Sequence, residues 1–303
     1  MPEFILKLAQ RGFSNAYLLL SITALCWAGN FVVGRGIYEE VPPVALATIR
    51  WTGAFLVALP FAYKHLVQDW ATIKEHWVIV VTLGVVGVGT FNTLVYTGVN
   101  YTTAINGLIM NSASPVFMAM MAFVLFKERI SAFQSFGIIV SIIGVLVIVS
   151  RGNFSSLGSL TFNIGDIIIL AAFFVWAFYT VMLRLRPAIH ELSFLTATFF
   201  LAIFANLPFL VLEMWSGRYV QLSPQSFGGL FYVIVFPSLI AYLFYNRGIE
   251  LIGANRGGAF LHVVPLFGAV MAVFFLGEKL EFFHIIGFIT IIAGVVMTTK
   301  KPR

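Results

Sequence analysis

The sequence has 303 residues, of which 60% are hydrophobic and only 10% are charged, and its mean hydropathy is +0.98. A water-soluble domain carries about 25% charged residues, so this composition excludes a soluble protein and indicates an integral membrane protein. The net charge of +6 is better explained by basic residues at cytoplasmic helix ends than by nucleic-acid binding, and the single Cys26 excludes an intramolecular disulfide.

Apolar segments follow one another along the whole chain, and each can cross a hydrocarbon core of roughly 30 Å as a helix of about 20 residues. The first continues well beyond the length of a signal peptide and predicts an uncleaved span. The segments lie at 17–37, 44–63, 77–99, 102–126, 132–150, 164–185, 193–215, 226–249, 254–276 and 282–299. None shows the alternation of a membrane strand. We therefore predict an all-α polytopic membrane protein with ten transmembrane helices.

The second half of the sequence repeats the first at an offset of 150 residues. Pro115 corresponds to Pro265, and the same register pairs Glu128 with Glu278, Gly137 with Gly287, and Gly144 with Gly294. This predicts two five-helix repeats, at 1–150 and 151–303. Because five is odd, the second repeat enters the membrane from the opposite side, which is an inverted-topology repeat. The two pairs of glycines predict close helix packing.

The orientation follows from the distribution of Lys and Arg. If the N-terminus is cytoplasmic, most basic residues lie at cytoplasmic ends, which predicts an N-in and C-in topology. We expect a multi-pass protein of the cell inner membrane. Pro115 and Pro265 lie near the middle of the membrane at matching positions, and paired helix breaks of this kind point to a binding site. We therefore expect both prolines to act as hinges.

Three features carry a resemblance to a known family. They are the 26–32 segment Cys-Trp-Ala-Gly-Asn-Phe-Val, Arg50 in the second span, and the Pro–Glu–Gly–Gly series that ends each repeat. The chain resembles the drug/metabolite transporter superfamily, EamA type, and within it the YddG-type exporters of aromatic and other neutral amino acids. The resemblance implies a central cavity lined by spans 1, 3, 4, 6, 8 and 9, with spans 5 and 10 at the periphery. The second repeat lacks the Gly-Asn pair, so the two half-sites differ chemically.

Aromatic and polar side chains inside the spans are the candidates for binding a substrate. Trp27 and Asn30 share one helix face, and Trp176 occupies the matching place in span six. Aromatic rings suit an apolar group of the substrate, and amides suit its polar groups. Packing between helices and, for Tyr245, the interfacial aromatic belt are the alternatives. The candidates are Thr23, Trp27, Asn30, Asn92, Tyr96, Asn111, Ser114, Trp176, Tyr179, Tyr242, Tyr245 and His262.

Arg50 is a charged residue about two turns into the second span. An arginine inside a membrane segment marks a function by default. It can also extend to the outer surface or pair with Glu39 or Glu40, and structural anchoring is the reading we favour, because the resemblance does not place span two at the cavity. Contact with the carboxylate of a substrate is the alternative.

The residues favour a secondary transporter over an enzyme or a channel. The sequence has no H-E-x-x-H motif, no G-x-S-x-G motif and no pair of membrane aspartates, and an inverted repeat suits alternating access better than a pore. We expect no cofactor and no metal. The expected partners are a small neutral solute and the lipid bilayer, with no nucleic acid.

The substrate class follows from the charges that the spans lack. Phosphorylated substrates would need several Lys or Arg residues at depth, and cationic drugs would need a membrane Glu. Neutral amino acids or related metabolites remain. A cell that accumulates amino acids has an outward concentration gradient of them, so transport down this gradient is export. His262 is the only group near mid-span that titrates near physiological pH. A single histidine beside a proline is more often a hydrogen-bonded structural residue than a proton carrier, so we expect transport that does not require proton coupling. Export of another metabolite or drug class, with or without proton coupling, stays open.

Overall fold

The structure is a computed structural model, and it describes residues 13–37, 39–98, 101, 114–128, 131–149, 164–276 and 282–299. These residues form ten helical segments, numbered here α1 to α10. Their bounds are Ala16–Gly36 (α1), Pro43–Glu75 (α2), Trp77–Gly98 (α3), Ser114–Phe126 (α4), Ala132–Val149 (α5), Ile164–Met182 (α6), Glu191–Trp215 (α7), Pro224–Ile252 (α8), Ala254–Leu276 (α9) and Phe282–Thr299 (α10).

Local sequence signals explain where several helices begin and end. Helix α8 starts with Pro224 at its first position, and the side chains of Ser223 and Ser226 cap it reciprocally. It ends at Gly253, whose φ of +83° is the left-handed region that favours glycine. Helix α2 likewise starts at Pro43. It runs on to Glu75, twelve residues beyond the end of the predicted apolar segment 44–63.

Five helices in the described part of the chain are long and apolar enough to cross a membrane, namely α2, α3, α6 with its 3₁₀ extension to Leu185, α7 and α8. Shorter apolar stretches lie in α1, α5 and α10. This agrees with the prediction of an all-helical membrane protein.

Helices α2 and α7 pack side by side and are antiparallel, and each caps the other. The carboxylate of Glu213, near the end of α7, accepts hydrogen bonds from the backbone N–H groups of Val44 (3.0 Å) and Ala45 (2.7 Å) at the start of α2. At the opposite end, Asp69 Oδ2 of α2 accepts a hydrogen bond from the backbone N–H of His190 (3.0 Å), which precedes α7. Carboxylates stabilise the exposed N–H groups of a helix start.

Helices α5 and α10 form a second antiparallel pair with close backbone contact. A Cβ atom at Gly144 would lie 2.8 Å from the backbone nitrogen of Ile291, and one at Gly294 would lie 2.6 Å from the carbonyl oxygen of Gly137. Only glycine allows backbones to approach so closely. The predicted packing role of these glycines is therefore confirmed.

The main helix–helix contacts are related by the repeat, so that each contact has a counterpart in which the two halves are interchanged. Helix α1 packs against α8 and α9, and its counterpart α6 packs against α3 and α4. Helix α2 packs against its equivalent α7, and α5 packs against its equivalent α10. The halves also share an interruption, because a π-helical segment occupies Leu83–Thr90 in α3 and Ile234–Ile240 in α8. Such segments shift the backbone hydrogen bonds and often occur at functional sites.

Candidate functional site

Aromatic side chains from six helices meet at the centre of the bundle. The Trp27 and Trp176 rings lie 5.2 Å apart, and the Tyr245 ring lies 5.0 Å from both. Tyr242 is edge-on to both tryptophans, at 6.0 and 5.8 Å. Such tilted and edge-to-face pairs are the preferred aromatic geometry. The aromatic cluster, as we call it here, consists of Trp27, Trp51, Phe91, Trp176, Tyr179, Phe199, Tyr242 and Tyr245.

Two members of the aromatic cluster come from helices that the resemblance did not place at the centre. Trp51 of α2 stacks on Phe199 of α7 at 5.2 Å and meets Tyr242 edge-on at 5.3 Å. The resemblance implied a cavity lined by spans 1, 3, 4, 6, 8 and 9, and the aromatic cluster also includes side chains from α2 and α7. The rings fill this region.

Hydrogen bonds from neighbouring helices hold the polar ends of the cluster. Tyr179 donates from its hydroxyl to Asn246 Oδ1 at 2.8 Å, and the hydroxyls of Tyr245 and Thr180 are 2.8 Å apart. Thr23 Oγ1 donates to the carbonyl of Ala241 at 3.2 Å. Tyr245 is buried in the centre, so its membership of an interfacial belt was the wrong alternative.

The π-helical segment of α8 supplies a carbonyl group that two side chains share. Pro237 lies in the π segment Ile234–Ile240, where the backbone hydrogen bonds are shifted from the regular α-helical pattern. Trp27 Nε1 donates to the carbonyl oxygen of Pro237 at 3.1 Å, and an Arg50 terminal nitrogen donates to it at 3.0 Å. The cluster and Arg50 are therefore tied to one point of α8.

Arg50 is buried, and its described hydrogen bonds go to neither of the acids that the sequence offered as partners. Its other donors bond to Ser238 Oγ (2.6 Å), Asn92 Oδ1 (3.0 Å) and the Tyr96 hydroxyl (3.1 Å). All four acceptors are neutral. The expectations that Arg50 extends to the surface or pairs with Glu39 or Glu40 were wrong, because helices α3 and α8 enclose it and provide the acceptors.

Several buried polar atoms near the cluster have no hydrogen-bond partner in the described part of the chain. They are the acceptor Asn30 Oδ1, the donors Trp51 Nε1 and Asn246 Nδ2, and, on α9, His262 Nε2. Buried polar groups are normally paired, so each such atom calls for an explanation. A bound polar molecule would supply partners for them.

The structure brings together most of the side chains that the sequence indicated. Trp27, Trp176, Tyr179, Tyr242 and Tyr245 belong to the aromatic cluster. Thr23, Asn92 and Tyr96 lie beside it through the hydrogen bonds described above, and Asn92 Nδ2 is 3.4 Å from the Tyr242 hydroxyl.

The remaining predicted residues are less central. Ser114 is buried at the start of α4, and Asn111 lies outside the described residues. His262 ends a 3₁₀ turn of α9, Ala259–His262, that comes just before Pro265. Pro115 is the second residue of α4.

Sequence reasoning missed Trp51, Phe91, Phe199 and Ser238 as parts of this region. Phe91 lies one residue before Asn92 and packs on Trp176 at 4.8 Å. The aromatic character of Trp51, directly after Arg50, was the one signal that could have found it.

Ion pairs gather where α6 and α8 end and α7 begins. Glu250 accepts from Arg186 (3.3 Å) and Arg247 (3.0 Å), and Arg184 reaches Glu128 beyond the end of α4 (2.5 Å). Arg247 also reaches Glu191 at the start of α7, at 4.0 Å. These contacts join the ends of four helices at one end of the bundle.

Comparison with known proteins identifies the family. The EamA-like transporter family matches residues 14–150 and matches residues 163–300 a second time. The chain belongs to this family. It is a multi-pass membrane transporter of the drug/metabolite transporter superfamily built from two EamA-like repeats, and it is not an enzyme.

Relatives of this EamA-like transporter cover almost its whole length. A protein of Archaeoglobus fulgidus named "Uncharacterized transporter" is 31% identical over 299 residues, covering 96% of this chain and 99% of its own. The Bacillus subtilis "Uncharacterized transporter YyaM" is 27% identical over 292 residues, covering 95% of each chain. One crystal structure shares the fold at a TM-score of 0.77 and 14% identity, over 94% of this chain and 96% of that one.

Proposed function

We propose that this EamA-like transporter is a facilitative exporter of neutral amino acids, foremost aromatic ones, in the cell inner membrane. The observation that carries the proposal is the buried aromatic cluster, which is bordered by polar atoms without partners. Aromatic faces suit an apolar side chain, and a small number of convergent polar groups is typical of a small-molecule site.

The chemistry around the cluster fits a zwitterion better than other solutes. Asn30 Oδ1 is an unpaired acceptor that suits an ammonium group, and Trp51 Nε1, beside the Arg50 guanidinium, is an unpaired donor that suits a carboxylate. Among the hydrogen bonds and ion pairs around the described cluster, Arg50 is the one cationic group, which is too little for a phosphorylated substrate.

Alternating access is supported by the relation between the halves. The equivalent helices α2 and α7 are antiparallel, as are α5 and α10, which fits inverted five-helix repeats at 1–150 and 151–303. The aromatic rings fill the centre of the bundle, as expected for a conformation that is closed to both sides of the membrane. Pro115 and Pro265, with the 3₁₀ turn before Pro265, are the proposed hinges.

The inverted topology predicts that equivalent residues face opposite sides of the membrane. Ala132 and Phe282 begin α5 and α10, are both exposed, and correspond in the repeat register. Single cysteines at these positions, in a chain with Cys26→Ala, are expected to react with an impermeant maleimide from opposite sides of right-side-out and inside-out vesicles. With an N-in chain, position 132 should react from the cytoplasmic side. Reaction of both from one side would contradict the topology.

The described centre also predicts transport without an obligatory proton. A proton carrier needs a titratable group with partners that receive and release the proton, whereas His262 Nε2 has no hydrogen-bond partner in the described structure. Purified protein in liposomes should equilibrate labelled L-tryptophan and L-phenylalanine, with or without an imposed pH gradient, and His262→Gln should behave alike. Uphill accumulation that depends on the gradient and is lost in His262→Gln would show proton coupling through this residue. Absence of saturable flux for every neutral amino acid would contradict the substrate class.

A further inference from the structure

We infer that Arg50 and Trp51 form the receptor for a carboxylate group of the transported molecule. The inference rests on the proposed function and deepens it, because it assigns one end of the substrate to one end of the site. It makes a carboxylate a requirement for tight binding, whereas the aromatic cluster alone would accept any flat apolar solute.

The first observation is a buried charge without an opposite charge. Arg50 is only 2% exposed, and its four hydrogen-bond acceptors are a serine hydroxyl, an asparagine amide, a tyrosine hydroxyl and a backbone carbonyl. A guanidinium inside a membrane protein is costly, and such charges normally pair with an acid. In the described structure no carboxylate forms an ion pair with Arg50, so the neutral acceptors only partly compensate it.

The second observation is independent of the hydrogen bonds of Arg50 and is a buried donor that needs an acceptor. Trp51 is fully buried, at 0% exposure, and its Nε1 donor has no acceptor in the described part of the chain. The Arg50 guanidinium carbon lies 4.6 Å from the centre of the Trp51 ring. Two donor groups are therefore adjacent, one charged and one unpaired. A carboxylate is the acceptor with the charge and the lone pairs to serve both.

The third observation links this pair to the aromatic cluster. Trp51 packs edge-on against Tyr242 at 5.3 Å, and Arg50 and Trp27 share the carbonyl of Pro237. A molecule whose ring lies beside Tyr242 can therefore direct its carboxylate towards Trp51 and Arg50, because an aromatic amino acid carries its ring and its carboxylate on neighbouring carbons.

The position of Arg50 also explains how its partners could change. It bridges α3, through Asn92 and Tyr96, and α8, through Pro237 and Ser238. These helices are equivalent in the two repeats, and both contain the π segment at this level. Movement of one repeat against the other must break part of this set of bonds. A substrate carboxylate can then replace the lost acceptors.

The test compares ring-matched probes in wild-type protein and in Arg50→Gln. L-phenylalanine carries both charges, L-phenylalaninamide lacks the carboxylate, and 3-phenylpropionate lacks the ammonium. Counterflow in liposomes gives the half-saturation concentration for each. We expect Arg50→Gln to raise the value for L-phenylalanine at least tenfold and to leave that for L-phenylalaninamide within about twofold. Trp51→Phe, which removes the N–H and keeps a ring, should raise the value for L-phenylalanine by a smaller factor and should also leave that for L-phenylalaninamide nearly unchanged.

A purely structural role for Arg50 predicts a different pattern, in which both probes lose affinity equally or L-phenylalanine keeps its wild-type value. Either result would overturn the inference. Thermal stabilisation of the detergent-purified protein by 3-phenylpropionate, against phenethylamine as the cationic control, gives a readout without transport. Stabilisation by the carboxylate that Arg50→Lys weakens supports the receptor even if no amino acid is transported, which would contradict only the proposed function. Equal stabilisation by both probes would contradict the receptor itself.

Discussion

Replacement of Trp176 by alanine is expected to reduce transport at least tenfold and to destabilise the protein. Trp176 is 2% exposed, and its ring contacts those of Trp27, Phe91, Tyr179 and Tyr245 at 4.8 to 5.2 Å. The substitution removes these contacts and leaves a cavity, at a cost of about 3 kcal/mol for a buried tryptophan. The measurement is the counterflow of L-tryptophan together with the unfolding temperature in detergent.

Matched variants separate the loss of binding from the loss of packing. Trp176→Phe keeps a ring and should retain more stability than Trp176→Ala while still weakening transport. Trp215→Ala makes the same chemical change at a residue that is 81% exposed, and it should leave both transport and unfolding close to wild type. Wild-type transport by well-folded Trp176→Ala would remove the aromatic cluster from the proposed site.

Replacement of Gly294 by valine is expected to separate α5 from α10 and to lower the unfolding temperature strongly. A Cβ atom at position 294 would lie 2.6 Å from both the carbonyl oxygen of Gly137 and the backbone nitrogen of Ser141. Backbone atoms inside helices cannot move aside as a side chain can, so the helices must part. Overpacking of this kind costs about 1–3 kcal/mol, and Gly294→Ala should show a smaller effect of the same sign.

Gly228→Ala, in α8, is the control for the substitutions at Gly294. Position 228 lies in a helix, and a Cβ there would meet no atom within 4 Å. Alanine is the better helix former, so this variant should be as stable as wild type. If Gly294→Val also unfolds at the wild-type temperature, the close contact between α5 and α10 does not exist.

The helix boundaries show which structural signals the sequence contains. The predicted apolar segments 254–276 and 282–299 coincide with the described parts of α9 and α10. The second apolar segment was predicted to end at residue 63, although helix α2 continues to Glu75. Hydropathy reports where a segment leaves the apolar region, and it says nothing about a polar helix that continues beyond it. No proline or glycine interrupts the chain between residues 64 and 75.

The candidate site was predictable on α1 and α6 and much less so on α2 and α7. Trp27 and Trp176 lie in motifs that the repeat and the family resemblance marked. Trp51 and Phe199 could not be assigned, because lipid is as apolar as a protein interior and hydropathy does not distinguish the two faces of a membrane helix. The acceptors of Arg50 lie 42 to 188 residues away in the chain, and one of them, the Pro237 carbonyl, belongs to a π segment that no sequence pattern indicated.

Counterflow is the most direct test of the claim that this chain is an amino acid carrier with its site in the aromatic cluster. Liposomes containing purified protein are loaded with unlabelled L-tryptophan and diluted into a trace of labelled L-tryptophan. The account predicts that the label accumulates transiently above its equilibrium level. External L-phenylalanine should inhibit this accumulation in a saturable way, and Trp176→Ala should abolish it. Label that only equilibrates, at a rate proportional to concentration and unaffected by the internal load, would contradict it.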